Sequence, residues 1–254
     1  MMKFFLGGWD GEMARIAAVL DENNVSFWFK ELKWGEAKAS VYADEIAAAA
    51  AEGKRVVLVE LEVDITVPEG TIVVDHHGSR SGEPASLLQV LALIGVTPTR
   101  RDELFAANDA AWFDGLMAAG ATREEMLEVR AADRAAQGIT REQENEAERA
   151  LTAPVEMIGN VRVIRMAHSK CAPVGDRLAV SAITAGKPIP QYLVLSQDGE
   201  VNFSGDGALC VALKDKFQGW NGGVRLGKSG ETAYWGGYPN HDAVVEFVRA
   251  AVGT

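Results

Sequence analysis

At 254 residues, 48% hydrophobic and 24% charged, the chain is long enough for one large domain or two smaller ones with a real core. A net charge of −11 excludes the basic face that wrapping long duplex DNA requires, and the apolar runs are too short to span a bilayer. Neither long duplex DNA nor a membrane is therefore an expected partner. Two cysteines, Cys171 and Cys210, make no disulfide framework, and "MMKFFLGGWDG" reads as a first strand rather than a secretory signal. A cytoplasmic location is expected.

In chain order, "KFFL" (3–6) predicts a strand and "GEMARIAAVLDE" an amphipathic helix. "VSFWF" (25–29) predicts a second strand, and "VYADEIAAAAAEG" a helix closed by Gly53. "RVVLVELEV" (55–63) and "TIVVD" (71–75) are β-branched runs suited to strands buried on both faces. "EPASLLQVLALIG" and "RDELFAANDAAWFDGLMAAG" read as helices that end in glycine. The alternation predicts an α/β fold, a mostly parallel sheet covered by helices.

Residues 122–151 are charged and poor in large apolar side chains, so they predict solvated helices leading out of a first domain. After Pro154 the pattern restarts. Hairpins are expected around Gly159-Asn160 and Asp198-Gly199, with helices over "GDRLAVSAITAG", "ALCVALKDKFQGW" and "HDAVVEFVRAAV". The division predicted is 1–140, a helical linker over 141–154, and a smaller α/β domain over 155–254.

The chemistry concentrates where strands end. In a parallel α/β sheet ligands bind beyond the carboxyl ends of the strands, and "TIVVDHHGSR" leaves its strand as Asp75-His76-His77. Imidazole beside carboxylate suits manganese, iron or zinc, although Asp75 can equally cap a loop with the two histidines as surface residues. Asp10 and Glu12, at i and i+2, can face one metal cluster or complement the dipole of the helix that follows. Glu60, set among valines and leucines, needs a strand end or a cation partner. Asp109, within "LFAANDAAWF", is either a metal ligand or a hydrogen-bonded core aspartate.

The order of these motifs resembles that of the DHH phosphoesterases, most closely over "DHHGSRSGEPASLLQVLALIG" and next over "ELFAANDAAWFDGL". "VALKDKFQGWNGGVRLGKSGETAYWGG" resembles part of the DHHA1-like companion domain of that family. The resemblance implies two divalent metals, commonly manganese, and hydrolysis of a phosphoester or phosphoanhydride bond in a small phosphorylated substrate such as a nucleotide or short oligonucleotide. It implies Asp10, Glu12, Glu60, His76 and Asp109 as metal ligands, Asp75 as an orienting group and His77 facing the scissile phosphate. It also implies Gly222, Gly223, Arg225 and Lys228 as substrate-binding residues, the glycines offering backbone N–H groups to an anion. Leu6 stands where the family's first motif carries histidine, Glu12 and Glu60 where it carries aspartate, and Val224 where a histidine follows the paired glycines. An alternative alignment puts Asp10 on the family's second acid and Gly8 on its first. These departures leave a second function class open: a family member without turnover that binds a nucleotide as a sensor or partner.

Overall fold

The apolar run "MKFFLGG" forms β1 (Met2–Gly8), and Asp10 caps α1 (Gly11–Glu22) by accepting the Met13 N–H. There follow β2 (Phe27–Leu32), α2 (Ala43–Ala51), β3 (Arg55–Val59), β4 (Ile72–Val74), α3 (Ser86–Ile94), α4 (Arg100–Ala118) and α5 (Arg123–Ala136). The computed structural model describes residues 1–223 and 225–253, except the side chain of Trp34. Val224 thus lies outside the described residues. The chain divides into two compact units, Met1–Gly138 and Ile139–Thr254.

In the first unit the four strands run parallel in the order β2-β1-β3-β4. Side chains alternate across a strand. Phe5, Val56 and Leu58 therefore share one face, where they form a core with Tyr42, Ile46 and Ala49 around α2. Phe4, Leu6, Val57 and Val59 occupy the opposite face and are equally buried. On the other side of β1's connection, α1 packs against α3, α4 and α5. The chain passes from β1 outward to β2 and then returns across β1 to β3. That reversal of strand order opens a crevice beyond the carboxyl ends of β1 and β3, the usual ligand position in such sheets.

The strands come together closely there. A Cβ at Gly7 would lie 2.2 Å from the Glu60 carbonyl oxygen, so only glycine fits. The expected strand over 55–63 stops at Val59 because Glu60 turns into the left-handed region, at φ 51°. Its N–H still donates to the Val74 carbonyl at 2.8 Å, which holds β4 alongside.

The second unit contains α6 (Arg141–Thr152), β5 (Glu156–Ile158), β6 (Val161–Met166), α7 (Ala172–Thr184), β7 (Gln191–Ser196), β8 (Val201–Asp206), α8 (Gly207–Phe217), β9 (Trp220–Gly222), β10 (Thr232–Gly237) and α9 (His241–Val252). Its sheet runs β5-β6-β7-β8-β10-β9, with β6 and β7 parallel and the other pairs antiparallel. Gly159 and Gly199, both at positive φ, make the two hairpin turns. Ile164, Met166, Tyr192 and Val194 pack with Val174 and Leu178 of α7 on one face, and Phe203, Leu193 and Trp235 pack with α8 and α9 on the other.

The helices over 122–151 depart from the sequence reading. Rather than leading out of the first domain, α5 packs on α1 and α4, with Met126, Val129, Arg130 and Asp133 buried. The segment read as a linker over 141–154 is largely α6, which packs on α7 and β6 within the second unit. In both, a high fraction of charged residues on the outer face hides a narrow inward stripe.

Gly7→Ala tests the close approach of β1 to β3. The added methyl forces the strands apart, which costs about 1–3 kcal/mol. A lower thermal midpoint with native-like far-UV circular dichroism is the expected result.

Candidate metal centre

Three strand ends and two helices, α1 and α4, bring the acidic groups together. Asp10 follows β1 as the cap of α1 and is 7% exposed, and Glu12 lies in the first turn of that helix at 1%. Glu60 follows β3 and is 5% exposed, while Asp75, His76 and His77 follow β4. Asp109 comes from α4. His76 Nε2 stands 2.7 Å from Asp109 Oδ2, 3.3 Å from Glu60 Oε1 and 3.5 Å from Glu12 Oε2. The ligand atoms of Glu60, His76, His77 and Asp109 all lie within 4.8 Å of one another.

These contacts are ion-pair distances without hydrogen-bond alignment. Glu12 Oε2, both Glu60 oxygens, His76 Nε2 and Asp109 Oδ2 are buried polar atoms with no hydrogen-bond partner among the described residues. Orphaned buried oxygens are costly, so such a group converging on one point is fitted to a cation. The charges respond accordingly. Burial, reinforced by the Asp109 charge, raises the Asp10 pKa to about 8. Burial likewise pushes Glu12 well above the carboxylate range. Asp109 foremost, with Glu12 and Glu60, pushes the His76 imidazole up to about 12. What the site selects is positive charge, supplied by a proton on His76 or by a metal ion that displaces it. The donor set of carboxylates and imidazole suits a divalent transition metal.

Glu12 and His77 are held from behind. Glu12 Oε1 accepts the Leu87 N–H at 2.9 Å, at the positive N-terminal end of α3. Since Glu12 Oε2 faces His76, one carboxylate closes the loop from His76 to Leu87 at both ends. Asp75 Oδ1 accepts the His77 backbone N–H at 2.8 Å and lies 3.0 Å from His77 Nδ1, while Gln89 Nε2 donates to the Asp75 carbonyl. His77 is half exposed and its ring lies 4.3 Å from that of His76. Asp75 thus contacts both the backbone and the ring of His77, and Asp10 caps α1.

The structure brings Glu12, Glu60, His76, His77 and Asp109 together, with Asp75 on His77, while Asp10 caps α1 close enough for the Asp109 and Glu60 charges to raise its pKa. Gly222, Gly223, Arg225 and Lys228 belong to the second unit. There the glycines have a local cause: a Cβ at Gly222 would meet the Tyr234 hydroxyl at 2.3 Å, and one at Gly236 the Trp220 ring at 2.5 Å. Gly223 adopts φ 104°, Arg225 pairs with Glu231 at 3.2 Å, and Lys228 is exposed. The close approach expected over these glycines is made, at Gly222 and Gly236, by aromatic side chains.

Two features escaped the sequence. The helix carrying Asp109 was read as continuous, yet Ala111 and Trp112 leave helical geometry, Trp112 at φ 49°. Gly115 fits this kink because a Cβ there would lie 1.9 Å from the Ala107 carbonyl oxygen. The second is a buried group behind the site. Gly11 N–H donates to Asp133 Oδ1 at 2.9 Å, and Arg130 Nη1 donates to Asp133 Oδ2 and to Asn108 Oδ1. The signal was available: 126, 129, 130 and 133 share one helical face.

No protein-family model matches the chain, and no curated protein matches it. Among solved structures it is similar to a pGpG-specific phosphodiesterase, PggH, from Vibrio cholerae, at 12% identity over 99% of both chains with a TM-score of 0.42. It is also similar to RecJ from Thermus thermophilus in complex with Mn2+, at 12% identity over 98% of this chain and 52% of that one, with a TM-score of 0.44. A manganese-bound exonuclease RecJ matches at 11% identity over 99% of this chain and 89% of that one, with a TM-score of 0.37.

Glu60 combines a left-handed backbone with a buried carboxylate whose oxygens have no hydrogen-bond partner among the described residues, so it is held there at a cost to stability. Glu60→Asn removes the charge and puts in a residue that tolerates this conformation. In chelator, the variant is expected to be more stable than the parent by about 1 kcal/mol. Thermal melts with and without Mn2+ check it: the parent gains stability from the ion and the variant gains much less.

Proposed function

We propose that the chain is a divergent DHH-type phosphoesterase. It hydrolyses a phosphodiester or phosphoanhydride bond in a small nucleotide or short oligonucleotide with the help of divalent metal, manganese first among the candidates. The observation that carries this reading is the convergence of orphaned oxygens from Glu12, Glu60 and Asp109 on His76 Nε2 at the strand ends. Such ions, when bound, supply Lewis-acid activation of water and of phosphoryl oxygens.

The protein's own residues have separable tasks. Asp10, Glu12, Glu60, His76 and Asp109 hold the metal. Asp75 fixes the His77 ring, and His77, half exposed, meets the scissile phosphate. In the second unit, Arg225, Lys228 and the backbone at Gly223 are the groups suited to a phosphate. An acidic chain handles an anionic substrate this way because bound cations reverse the local charge. No described helix is long and apolar enough to cross a membrane.

The second reading, a nucleotide-binding protein without turnover, is favoured by Leu6. It is fully buried and offers no lone pair where the resembled family has an imidazole. Release of product from short oligonucleotides and dinucleotides, with and without Mn2+, separates the two. Metal-dependent turnover supports the first reading, and saturable binding without product supports the second.

His76 is the nitrogen donor closest to the carboxylates, so His76→Ala is expected to weaken Mn2+ binding at least about 10-fold. Equal affinities by calorimetry would remove the assignment. With Leu6 in the first motif, one ion per chain is expected to survive gel filtration. Elemental analysis that finds two retained ions contradicts this.

A further inference from the structure

We infer that Arg130 and Asp133 of α5 are positioning residues for the metal centre. They lock the two segments that carry its acids into one frame. The inference rests on the proposed metal site. Asp133 Oδ1 receives the N–H of Gly11, the residue between Asp10 and Glu12, at 2.9 Å. Its other oxygen, Oδ2, receives Arg130 Nη1 at 2.7 Å and Gln137 Nε2 at 3.0 Å. Arg130 Nη1 also donates at 3.0 Å to Asn108, the residue before Asp109. One ion pair on a single helical turn thus ties the start of α1 to the middle of α4.

The approach is tight. A Cβ at Gly11 would lie 2.7 Å from Asp133 Oδ1 and 2.9 Å from the Asp133 Cα, so glycine brings α1 onto the α5 backbone. Arg130 and Asp133 are 7% and 5% exposed. A buried ion pair adds little net stability over apolar residues of similar volume, so stability alone does not account for one here. Its placement does. Asp10 and Glu12 flank residue 11, and Asp109 follows residue 108, so hydrogen bonds to residues 11 and 108 fix the spacing of these acids from the adjoining positions. Donors held this way keep their spacing before the ion arrives, which is the contribution outer partners make to metal affinity.

The test compares Mn2+ affinity, by calorimetry, with the thermal midpoint of the metal-free full-length protein. The double variant Arg130→Met/Asp133→Leu removes both charges together and leaves the Gly11 N–H and Asn108 Oδ1 without their partners. It is expected to melt below the parent while staying folded at the assay temperature, and to bind Mn2+ about 10–100-fold more weakly, the range typical of outer-partner changes. Asn108→Ala, which keeps the ion pair, gives a second measurement of the same kind, with a several-fold loss expected. Asp133→Asn retains an acceptor for the Gly11 N–H and is expected to bind more tightly than the double variant. Parental affinity in both a folded double variant and Asn108→Ala overturns the positioning role while leaving the metal site standing. A parent that takes up no Mn2+ overturns the metal site itself, and the positioning role with it.

Discussion

Four carboxylates, Asp10, Glu12, Glu60 and Asp109, are drawn into a space from which water is largely excluded, and their mutual repulsion constrains everything around them. Two like charges within 4.8 Å of each other, the spacing at Glu60 and Asp109, repel by about 3 kcal/mol at an effective dielectric near 20. Whole domains are stable by only about 5–15 kcal/mol. The raised pKa values of Asp10 and Glu12 and the strongly raised one of His76 all express the same demand for a cation. The surrounding architecture meets that demand with fixed dipoles and donors: the N-terminal end of α3 on Glu12, the Met13 N–H on Asp10, and the Arg130–Asp133 pair behind both segments.

This arrangement explains why the reversal of strand order matters more than the number of strands. A parallel sheet puts its carboxyl ends on one edge, and the reversal at β1 keeps the loops after β1 and β3 from covering each other. The glycine at position 7 then lets the two strand ends approach until Glu60 and the Asp10–Glu12 segment serve the same space. The second unit is built on a different plan. Its mixed sheet has helices on both faces, and its glycines at 222 and 236 seat the rings of Tyr234 and Trp220.

Much of this was legible in the sequence for definite reasons. The β-branched runs, the helical spacing of apolar residues and the turn glycines at 159 and 199 each follow a local rule, and the elements formed where those rules put them. Asp75-His76-His77 stood out because two of four histidines adjoin a strand end. What stayed hidden was set by tertiary contacts. The kink at Ala111–Trp112 has no proline to announce it, and the early stop of β3 depends on the conformation of Glu60. Arg130 and Asp133 were lost in a charged stretch whose composition suggested solvent on all sides, although their spacing from Met126 and Val129 set them on the inward face. The segment over 141–154 is helical as expected, but its place inside the second unit was hidden for the same reason: composition averages over a helix, and burial does not.

The loop from His76 to Leu87 is a ring fastened at both ends by the single side chain of Glu12. Residues 77–84, between the fastenings, are all exposed. For a flexible loop, closure entropy grows only with the logarithm of length, so doubling such a ring costs about 0.6 kcal/mol. Insertions and replacements at its tip can therefore accumulate while His76 and the start of α3 stay in place. The strand ends dictate where charge gathers, and the ring beside them is free to diversify in what it touches.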